Sequence, residues 1–446
     1  MISPQNIAFI VLGCPKNAVE AEYMLGILKN EGFNIVSEVD KADIIVVHTC
    51  SFIASARHES ESCIKKVLKL KKRKDVKVFV SGCLPQLIKN EMLDRFSGID
   101  GYVGTGNLDK LPAILKNTAP SPFKPPILPP PSGLNNSKFR VLSSPLPFAY
   151  LKIAEGCRHK CSFCIIPQLR GKYQSRTLQS LKDESSALAR SGIKELIIIA
   201  QDTTSYGIDL YGKFALSNLL KNLSKVKEIK RIRLLYAYPS AINNELLEII
   251  SSCENVAPYI DIPIQHISKN VLLAMKRPTN TRKIIEKIRS KYPKIVLRTS
   301  LIAGFPSESR ADVKELVDFL GEGHFLYAGV FDYSNNSTAS SAKLSPRVAA
   351  QEIKSRKKIY EVAQYEAFAK QTAEMKGTEI EILVENVQKS GKGYKVSGRS
   401  QFQAPEIDGK TVFFSKEAVA VGSFQTMVID GKRGYTIKAR EKNELT

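Results

Sequence analysis

Three cysteines within eight residues, Cys157, Cys161 and Cys164, are the side chains of this sequence best suited to chemistry. They form a CxxxCxxC motif directly after an apolar, strand-like segment at 148–154. Three thiolates this close can converge on one metal centre but cannot complete a four-ligand site. An iron–sulfur cluster bound by three cysteines keeps one iron open to a small molecule. This motif triad therefore predicts a metal centre with an open coordination position.

A structural zinc site is the alternative interpretation of the same motif. His159 lies between the first two cysteines, and three thiolates with one imidazole would satisfy tetrahedral zinc. A closed zinc site would only stabilise the fold, whereas an open iron would be reactive. The cysteine spacing favours the iron–sulfur interpretation.

A second set of cysteines, the sheet triad, comprises Cys14, Cys50 and Cys83. They are far apart in sequence, but each follows an apolar, strand-like run. The carboxyl ends of strands in an open parallel sheet line one crevice where ligands bind. The pattern therefore predicts a second metal-binding set, with small buried core residues as the alternative. Cys63 and Cys253 have no such placement, and we interpret both as structural.

Composition limits the class of protein. The 446 residues allow two or three domains, and no apolar run is long enough to span a bilayer. The N-terminus lacks the features of a signal peptide, so we expect a soluble, cytoplasmic protein. Eight cysteines in a reducing cytosol favour metal ligation over disulfides. The net charge of +22 suggests an anionic partner such as RNA.

Alternating apolar runs and amphipathic stretches predict an α/β protein with three domains. We expect an N-terminal open parallel-sheet domain at 1–118, a partial (β/α)6 barrel at 145–376 and a small all-β barrel at 377–446. Seven prolines between 120 and 131 predict a linker, placed at 119–144. The expected strands of the central barrel are 148–154, 195–200, 232–236, 259–262, 295–302 and 327–333.

Three segments carry a resemblance to a known family. They are LGCPKN at 12–17, GCRHKCSFCIIPQLRG at 156–171 and VSGRS at 396–400 with APEID at 404–408. The central motif resembles the radical S-adenosylmethionine (SAM) superfamily, and the whole chain resembles its methylthiotransferases, which end in a TRAM domain. Supporting matches lie at 200–204, 263–267 and 298–306. Within that family the sequence is most similar to the branch that modifies a ribosomal protein.

The resemblance implies two 4Fe–4S clusters, with SAM as both methyl donor and radical source. The motif triad would hold the SAM-binding cluster and the sheet triad an auxiliary cluster, with no catalytic residue beyond these ligands. The product implied is a methylthio group on the β-carbon of an aspartate in the twelfth small-subunit ribosomal protein, free or within the ribosome. The implied partners are that ribosomal protein, a reductant protein such as flavodoxin or ferredoxin, and a sulfur donor. No membrane is implied.

Polar residues expected at barrel strand ends are candidates to position SAM. They are Gln201, Asp202, Gln265 and Arg298, which could contact its ribose, adenine or carboxylate. The alternative is that they cap and solvate the strand-to-helix loops.

The substrate has a rival interpretation, a tRNA adenosine methylthiotransferase. That branch typically has Gln-Met-Asn where this chain has Pro15, Lys16 and Asn17. The terminal domain, 377–446, has 11 Lys and Arg against 9 Asp and Glu, a net charge of only +2. A domain that grips RNA should carry a concentrated basic face, so this balance favours a protein substrate. A basic run at 65–74 is either a solvated face or an RNA contact.

Two positions depart from the family pattern. His48 stands where an asparagine is usual, and Asn-Asn-Ser-Thr at 335–338 replaces a Glu-Gly-Thr loop. Neither is a predicted cluster ligand, but the second could alter a loop that faces the substrate.

Overall fold

The computed structural model describes residues 5–106, 110–116, 140–143 and 147–442. Most of the predicted proline-rich linker, including all of its prolines, lies outside the described residues. In the part that is described, no helix is both long enough and apolar enough to cross a membrane.

The N-terminal region is an open, parallel five-stranded sheet in the order β2-β1-β3-β4-β5, as predicted. The central strand β3 is buried along its whole length, because helices cover both faces of the sheet. Strands β2 and β5 have two and three residues, too few to show a periodic pattern in the sequence. The elements are β1 (Asn6–Val11), α1 (Pro15–Asn30), β2 (Asn34–Ile35), β3 (Ile44–Thr49), α2 (Ala54–Lys71), β4 (Lys77–Gly82), α3 (Cys83–Ile88), α4 (Glu91–Arg95), β5 (Gly101–Val103) and α5 (Leu111–Leu115).

The central region is a six-stranded parallel sheet in the order β13-β12-β11-β10-β9-β6. Strands β6 and β13 form its two edges, so the sheet is the predicted partial barrel, open on one side. Its elements are β6 (Phe148–Lys152), β7 (Ala154–Glu155), α6 (Ile166–Arg170), β8 (Gln174–Ser175), α7 (Leu178–Arg190), β9 (Glu195–Ile199), α8 (Ile208–Tyr211), α9 (Leu216–Leu223), β10 (Arg231–Leu234), α10 (Asn244–Ser252), β11 (Val256–Asp261), α11 (Lys269–Ala274), α12 (Thr281–Lys291), β12 (Val296–Ala303), α13 (Arg310–Gly321), β13 (Tyr327–Asp332) and α14 (Ala350–Glu374).

The C-terminal region is a closed barrel in the order β14-β15-β16-β18-β17, as predicted. Closure pairs every strand and leaves no exposed sheet edge. Its strands are β14 (Glu379–Ser390), β15 (Gly393–Ser400), β16 (Thr411–Ser415), β17 (Phe424–Arg433) and β18 (Thr436–Arg440).

The small barrel packs against the amino ends of the central strands. Arg399 Nη2 donates to Glu195 Oε2 at 2.7 Å, and Arg233 Nε donates to Glu195 Oε1 at 2.8 Å. Burial by itself would raise the pKa of Glu195, but the two guanidinium groups lower it to about 2. Glu195 begins β9, so this buried ion triad closes the end of the central sheet opposite the predicted cluster sites.

A loop of the small barrel enters the inner face of the central sheet. Ala404 packs in one apolar cluster with Tyr259 of β11 and with Val19 of α1. Tyr259 OH donates to Asp408 Oδ2 at 2.7 Å, and Arg298 Nε lies 3.9 Å from Asp408 Oδ1. The inner face of the central sheet is therefore covered from one side by the N-terminal region and from the other by the small barrel.

We expect Asp408 to make stability fall as pH rises. Burial raises the pKa of Asp408 from 3.8 to about 6, although Arg298 opposes the shift. Between these two pH values the folded state binds more protons than the unfolded state. The contribution of Asp408 to the free energy of unfolding is therefore lost as pH rises. Such a shift corresponds to about 3 kcal/mol. At pH 4 the unfolded carboxyl is already more than half ionised, so urea unfolding at pH 4 and pH 7 should show Asp408→Asn gaining about 2 kcal/mol relative to the parent over this interval.

The control is Asp430→Asn, which removes a carboxylate with 49% of its side chain exposed on the same small barrel. This variant should follow the parent at both pH values. An Asp408→Asn variant that also follows the parent would contradict the expected linkage.

Candidate metal centres

The three members of the sheet triad lie at the carboxyl ends of neighbouring strands. Cys14 follows β1 and is the N-cap of α1, Cys50 follows β3 directly, and Cys83 follows β4 and begins α3. Strands β1, β3 and β4 are adjacent in the sheet. The three cysteines therefore lie side by side along one edge of the sheet.

Asn17 and Gly13 bring the first two strand ends together. Asn17 is fully buried, and its Nδ2 donates at 3.0 Å to both Leu12 O and Thr49 O. This clamp joins the chain beyond β1 to the end of β3. Gly13 has φ +94°, and a Cβ there would lie 2.9 Å from Cys50 Sγ. Only glycine therefore allows this close approach without strain.

The buried thiols of the sheet triad resist ionisation in the free protein. Burial raises the pKa of Cys83 to about 12, although Arg170 opposes the shift, and burial also raises the pKa of Cys50. Thiols are metal ligands only as thiolates, so cluster binding must displace their protons. A nearby cation favours that change.

The motif triad lies in a loop fixed by two neighbouring segments. Ser162 N donates to Met275 O at 3.0 Å, and Ser162 Oγ donates to Ala274 O at 2.7 Å, which ties the loop to the end of α11. Ser341 N donates to Ser162 O at 2.9 Å from the other side. Within the loop, Ile166 N donates to Cys164 Sγ at 3.4 Å. The loop is therefore held by two other segments of the central region.

A stack of three side chains borders the motif triad. The rings of His159 and Tyr238 are parallel with centroids 3.5 Å apart, and Arg277 lies 4.4 Å from the Tyr238 ring centroid. Arg277 Nη1 points at Cys161 Sγ from 3.8 Å. His159 Nε2 is hydrogen-bonded to Asp202 Oδ2 at 2.7 Å. Arg277 was missed by the sequence analysis because its contact with Cys161 spans 116 residues.

The four candidate SAM residues occupy different environments. Gln201 Nε2 donates to Glu155 Oε1 at 2.5 Å, while Gln201 Oε1 is buried with no partner. The Asp202 carboxylate is hydrogen-bonded to the side chains of His159, Thr204 and Ser205. Asp202 therefore positions His159 in this structure.

The other two candidates lie on β11 and β12. Gln265 follows β11, has φ +70° and bridges to Leu301. Arg298 is the third residue of β12, within the strand rather than at its end, and its Nη1 donates to Asp261 Oδ1 at 3.0 Å. Its Nε is buried without a hydrogen-bond partner beside Asp408. The expectation that Arg298 lies at a strand end was therefore wrong, because the β12 strand runs five residues further.

The two triads face each other across a domain contact. Cys83 packs with Ile165 and Leu169, which follow the motif triad, in one apolar cluster. Arg170, at the end of α6, donates from Nη2 to Cys83 Sγ at 3.1 Å and to Asn17 Oδ1 at 2.8 Å. Arg170 lies within the GCRHKCSFCIIPQLRG segment, but the spacing of the cysteines gives no sign of its contact with Cys83.

Buried charges on α1 fix this contact. Glu20 is paired with Lys152 Nζ at 2.5 Å and with the Arg170 guanidinium, and these cations hold its pKa well below the usual range despite its burial. Two residues further along the helix, Glu22 accepts from Arg140 Nη2 at 2.6 Å, and Arg140 Nη1 donates to Glu184 Oε1 at 2.6 Å. A buried ion pair that lost one partner would cost several kcal/mol, so these charges specify one docking geometry.

The donor sets fit iron–sulfur clusters better than single metal ions. Each triad supplies three thiols, the number that binds a 4Fe–4S cluster and keeps one iron open. His159, the fourth ligand in the zinc alternative, is instead hydrogen-bonded to Asp202 and stacked on the ring of Tyr238. All six triad cysteines are free thiols.

Comparison with known families agrees with the three regions. Residues 6–104 match the family described as Uncharacterized protein family UPF0004, residues 151–320 match the Radical SAM superfamily, and residues 377–440 match the TRAM domain. A solved structure of the radical SAM methyltransferase TsrM from Kitasatospora setae has a TM-score of 0.55 at 16% identity, covering 87% of this chain and 79% of that one. The fold and the site therefore define a radical SAM enzyme with an added three-cysteine domain.

Curated relatives define the family further. The ribosomal protein uS12 methylthiotransferase RimO of Endomicrobium trichonymphae is 56% identical over 97% of this chain and 98% of the relative. The protein of the same name from Caldanaerobacter subterraneus subsp. tengcongensis is 41% identical over 95% and 97%. The chain belongs to the RimO family of radical SAM methylthiotransferases.

Proposed function

We propose that this enzyme transfers a methylthio group to ribosomal protein uS12, at the β-carbon of one aspartate. The observation that carries the proposal is the pair of facing cysteine triads, joined through Arg170 and Cys83. Relatives that cover nearly the whole chain are named for the same activity and substrate. When bound, one 4Fe–4S cluster would support the cleavage of SAM, and the other would carry a sulfur atom able to receive a methyl group.

The protein residues hold and orient these groups. Cys157, Cys161 and Cys164 would bind the cluster that contacts SAM, and the sheet triad would bind the auxiliary cluster. Gln201 would contact SAM through its unpaired Oε1. Gln265 and Arg298 are the further candidates to contact SAM, from the chain after β11 and from β12. Asp202 would act through His159, which it orients. The filled interior of the sheet would exclude water from the reacting atoms.

We assign a separate role to each of the three proposed domains, 1–118, 145–376 and 377–446, with a linker at 119–144. The first would carry the auxiliary cluster and the second SAM, while a loop of the third fills part of the inner face of the central sheet. Cleavage of SAM consumes an electron, and each product contains a new sulfur atom. A reductant protein such as flavodoxin or ferredoxin and a sulfur donor are therefore proposed partners, in the cytoplasm with the ribosome.

The test is an anaerobic assay that offers both substrate classes together. The protein is reconstituted with iron and sulfide, then supplied with reductant, SAM, small ribosomal subunits and tRNA, and mass spectrometry locates any methylthio group. A methylthio group on a uS12 aspartate is the expected result. Modification of a tRNA adenosine would preserve the chemistry and overturn the substrate. Zinc binding without SAM cleavage would overturn the proposal.

We expect Gly13→Ala to lose the auxiliary cluster. The added Cβ would collide with Cys50, and φ +94° is strained for alanine. Iron analysis after reconstitution should fall from about eight to about four atoms per chain, because each cluster holds four. SAM cleavage should continue.

Gly32→Ala is the matched control for this variant. Gly32 has φ +87°, and a Cβ there would meet nothing within 4 Å. It therefore carries the same backbone strain without the collision, and about eight iron atoms should remain. Equal iron loss in both variants would show that strain, not contact with Cys50, is responsible.

A further inference from the structure

Arg170 makes a contact that the proposed chemistry does not by itself explain. It belongs to the central region, yet its Nη2 donates to Cys83 Sγ of the sheet triad at 3.1 Å. The side chain is almost completely buried. A buried guanidinium aimed at a sulfur is a strong donor, since a charged donor makes shorter and stronger hydrogen bonds.

The surrounding charges hold the guanidinium in this orientation. Nη1 faces the carboxylates of Glu20 and Glu155, while Nη2 is shared between Asn17 Oδ1 and Cys83 Sγ. Lys152 also pairs with both carboxylates, so the two buried anions are matched by two cations. The rigid fork of the guanidinium therefore directs its second edge at the sulfur.

The position of Arg170 also relates the two triads in space. Helix α6 is five residues long, and its first residue, Ile166, donates to Cys164 Sγ at 3.4 Å. Its last residue is Arg170, which donates to Cys83 Sγ. One helical segment of about 7 Å thus contacts a sulfur of each triad.

We propose that Arg170 is a positioning residue that donates a hydrogen bond to the Cys83 thiolate of the auxiliary cluster and raises the reduction potential of that cluster. The inference rests on the proposed function, in which Cys83 is a ligand of the auxiliary cluster. Hydrogen bonds to cluster sulfurs and nearby charge set such potentials, because they stabilise the extra electron of the reduced form. The same contact holds the auxiliary cluster at a defined distance from the SAM site.

The test measures the auxiliary cluster alone in the full-length protein. Cys157, Cys161 and Cys164 are all replaced with alanine, and Arg170→Gln and Arg170→Lys are compared in this background by reductive titration monitored by electron paramagnetic resonance. We expect Arg170→Gln to make reduction at least tenfold less favourable, which is about 59 mV for one electron. Arg170→Lys keeps the charge without the fork and should give an intermediate potential.

Arg140→Lys is the matched control. Arg140 is also a buried arginine of the domain contact, but its partners are Glu22 and Glu184, with no sulfur among them in the described residues. Arg140→Lys should therefore keep the parent potential. A general loosening of the domain contact would instead shift the potentials of the Arg140 and Arg170 variants together and overturn the inference.

A spectroscopic measurement decides the case if Arg170→Gln does not retain its cluster. Resonance Raman spectra of the background protein with Arg170 intact should show Fe–S stretching bands that shift in deuterated water, and Arg170→Lys should reduce that shift. Absence of any deuterium effect would overturn the inference, as would an unchanged potential in Arg170→Gln with about four iron atoms bound. A background protein that binds no four-iron cluster would overturn the proposed function instead.

Discussion

The Cys50→Ala variant is expected to lose methylthio transfer and to keep SAM cleavage. Cys50 follows the strand between β1 and β4, so its thiol is the middle member of the sheet triad. With one of three ligands removed, the auxiliary cluster should not assemble. Methylthio transfer should fall by more than about 100-fold, because removal of a residue that only hydrogen-bonds a metal ligand already costs up to about that factor.

Three readouts separate this result from misfolding. Iron should fall to about four atoms per chain, 5′-deoxyadenosine should still form from SAM, and uS12 should remain unmodified. Cys63→Ala is the matched control, since Cys63 lies within α2 and packs beside the core of the same sheet. Cys63→Ala should match the parent in iron content, in formation of 5′-deoxyadenosine and in modification of uS12. Transfer that survives in Cys50→Ala would exclude Cys50 from the proposed cluster.

The Cys161→Ala variant is expected to lose both SAM cleavage and methylthio transfer. Cys161 is the central cysteine of the motif triad and the one that Arg277 Nη1 approaches at 3.8 Å. Without a third ligand, the cluster that contacts SAM cannot be retained with an open iron. No 5′-deoxyadenosine should form, and product should fall by more than about 100-fold.

The auxiliary cluster should survive in this variant. The cysteines of the sheet triad follow β1, β3 and β4, and these strands belong to a separate sheet. About four iron atoms per chain should therefore remain. Cys253→Ala is the control, because Cys253 caps the end of α10 and its Sγ contacts Asn255 Oδ1. SAM cleavage by Cys161→Ala would return the motif triad to a structural role.

The combination of activities that a cysteine variant loses assigns the cysteine to one of the two sites. Loss of transfer with intact cleavage assigns a cysteine to the auxiliary site, whereas loss of both assigns it to the SAM site. Arg170 variants should resemble the first group in reduced degree, because Arg170 contacts Cys83 rather than replacing a ligand.

The local pattern of the sequence was sufficient for the architecture. Each of the six expected strands of the central barrel overlaps an observed strand, from β6 to β13, because buried parallel strands are continuous apolar runs. The small all-β barrel at 377–446 was likewise predicted, and the structure closes it with five strands. The sheet triad could be predicted to lie at one edge, because parallel strands bring their carboxyl ends together whatever their separation in sequence.

The surroundings of the cysteines could not be obtained in the same way. Arg170 and Cys83 are 87 residues apart, and they meet only because α1 docks on β6 and α3 on α6. Asp202 was identified by its place after β9, but its carboxylate is used by His159. Strand periodicity contains no information about which buried polar group a side chain will select.

The sequence by itself determined the chemistry available: six cysteines in two sets, the order of the domains and the family. Spacing within a loop and the ends of strands are properties of the local chain, so they can be read without a structure. Only the tertiary structure decided how the two sets face each other, that Arg298 meets Asp408 inside the sheet, and that Arg170 touches a sulfur. These contacts join separate domains, and their geometry follows from packing and from the pairing of buried charges.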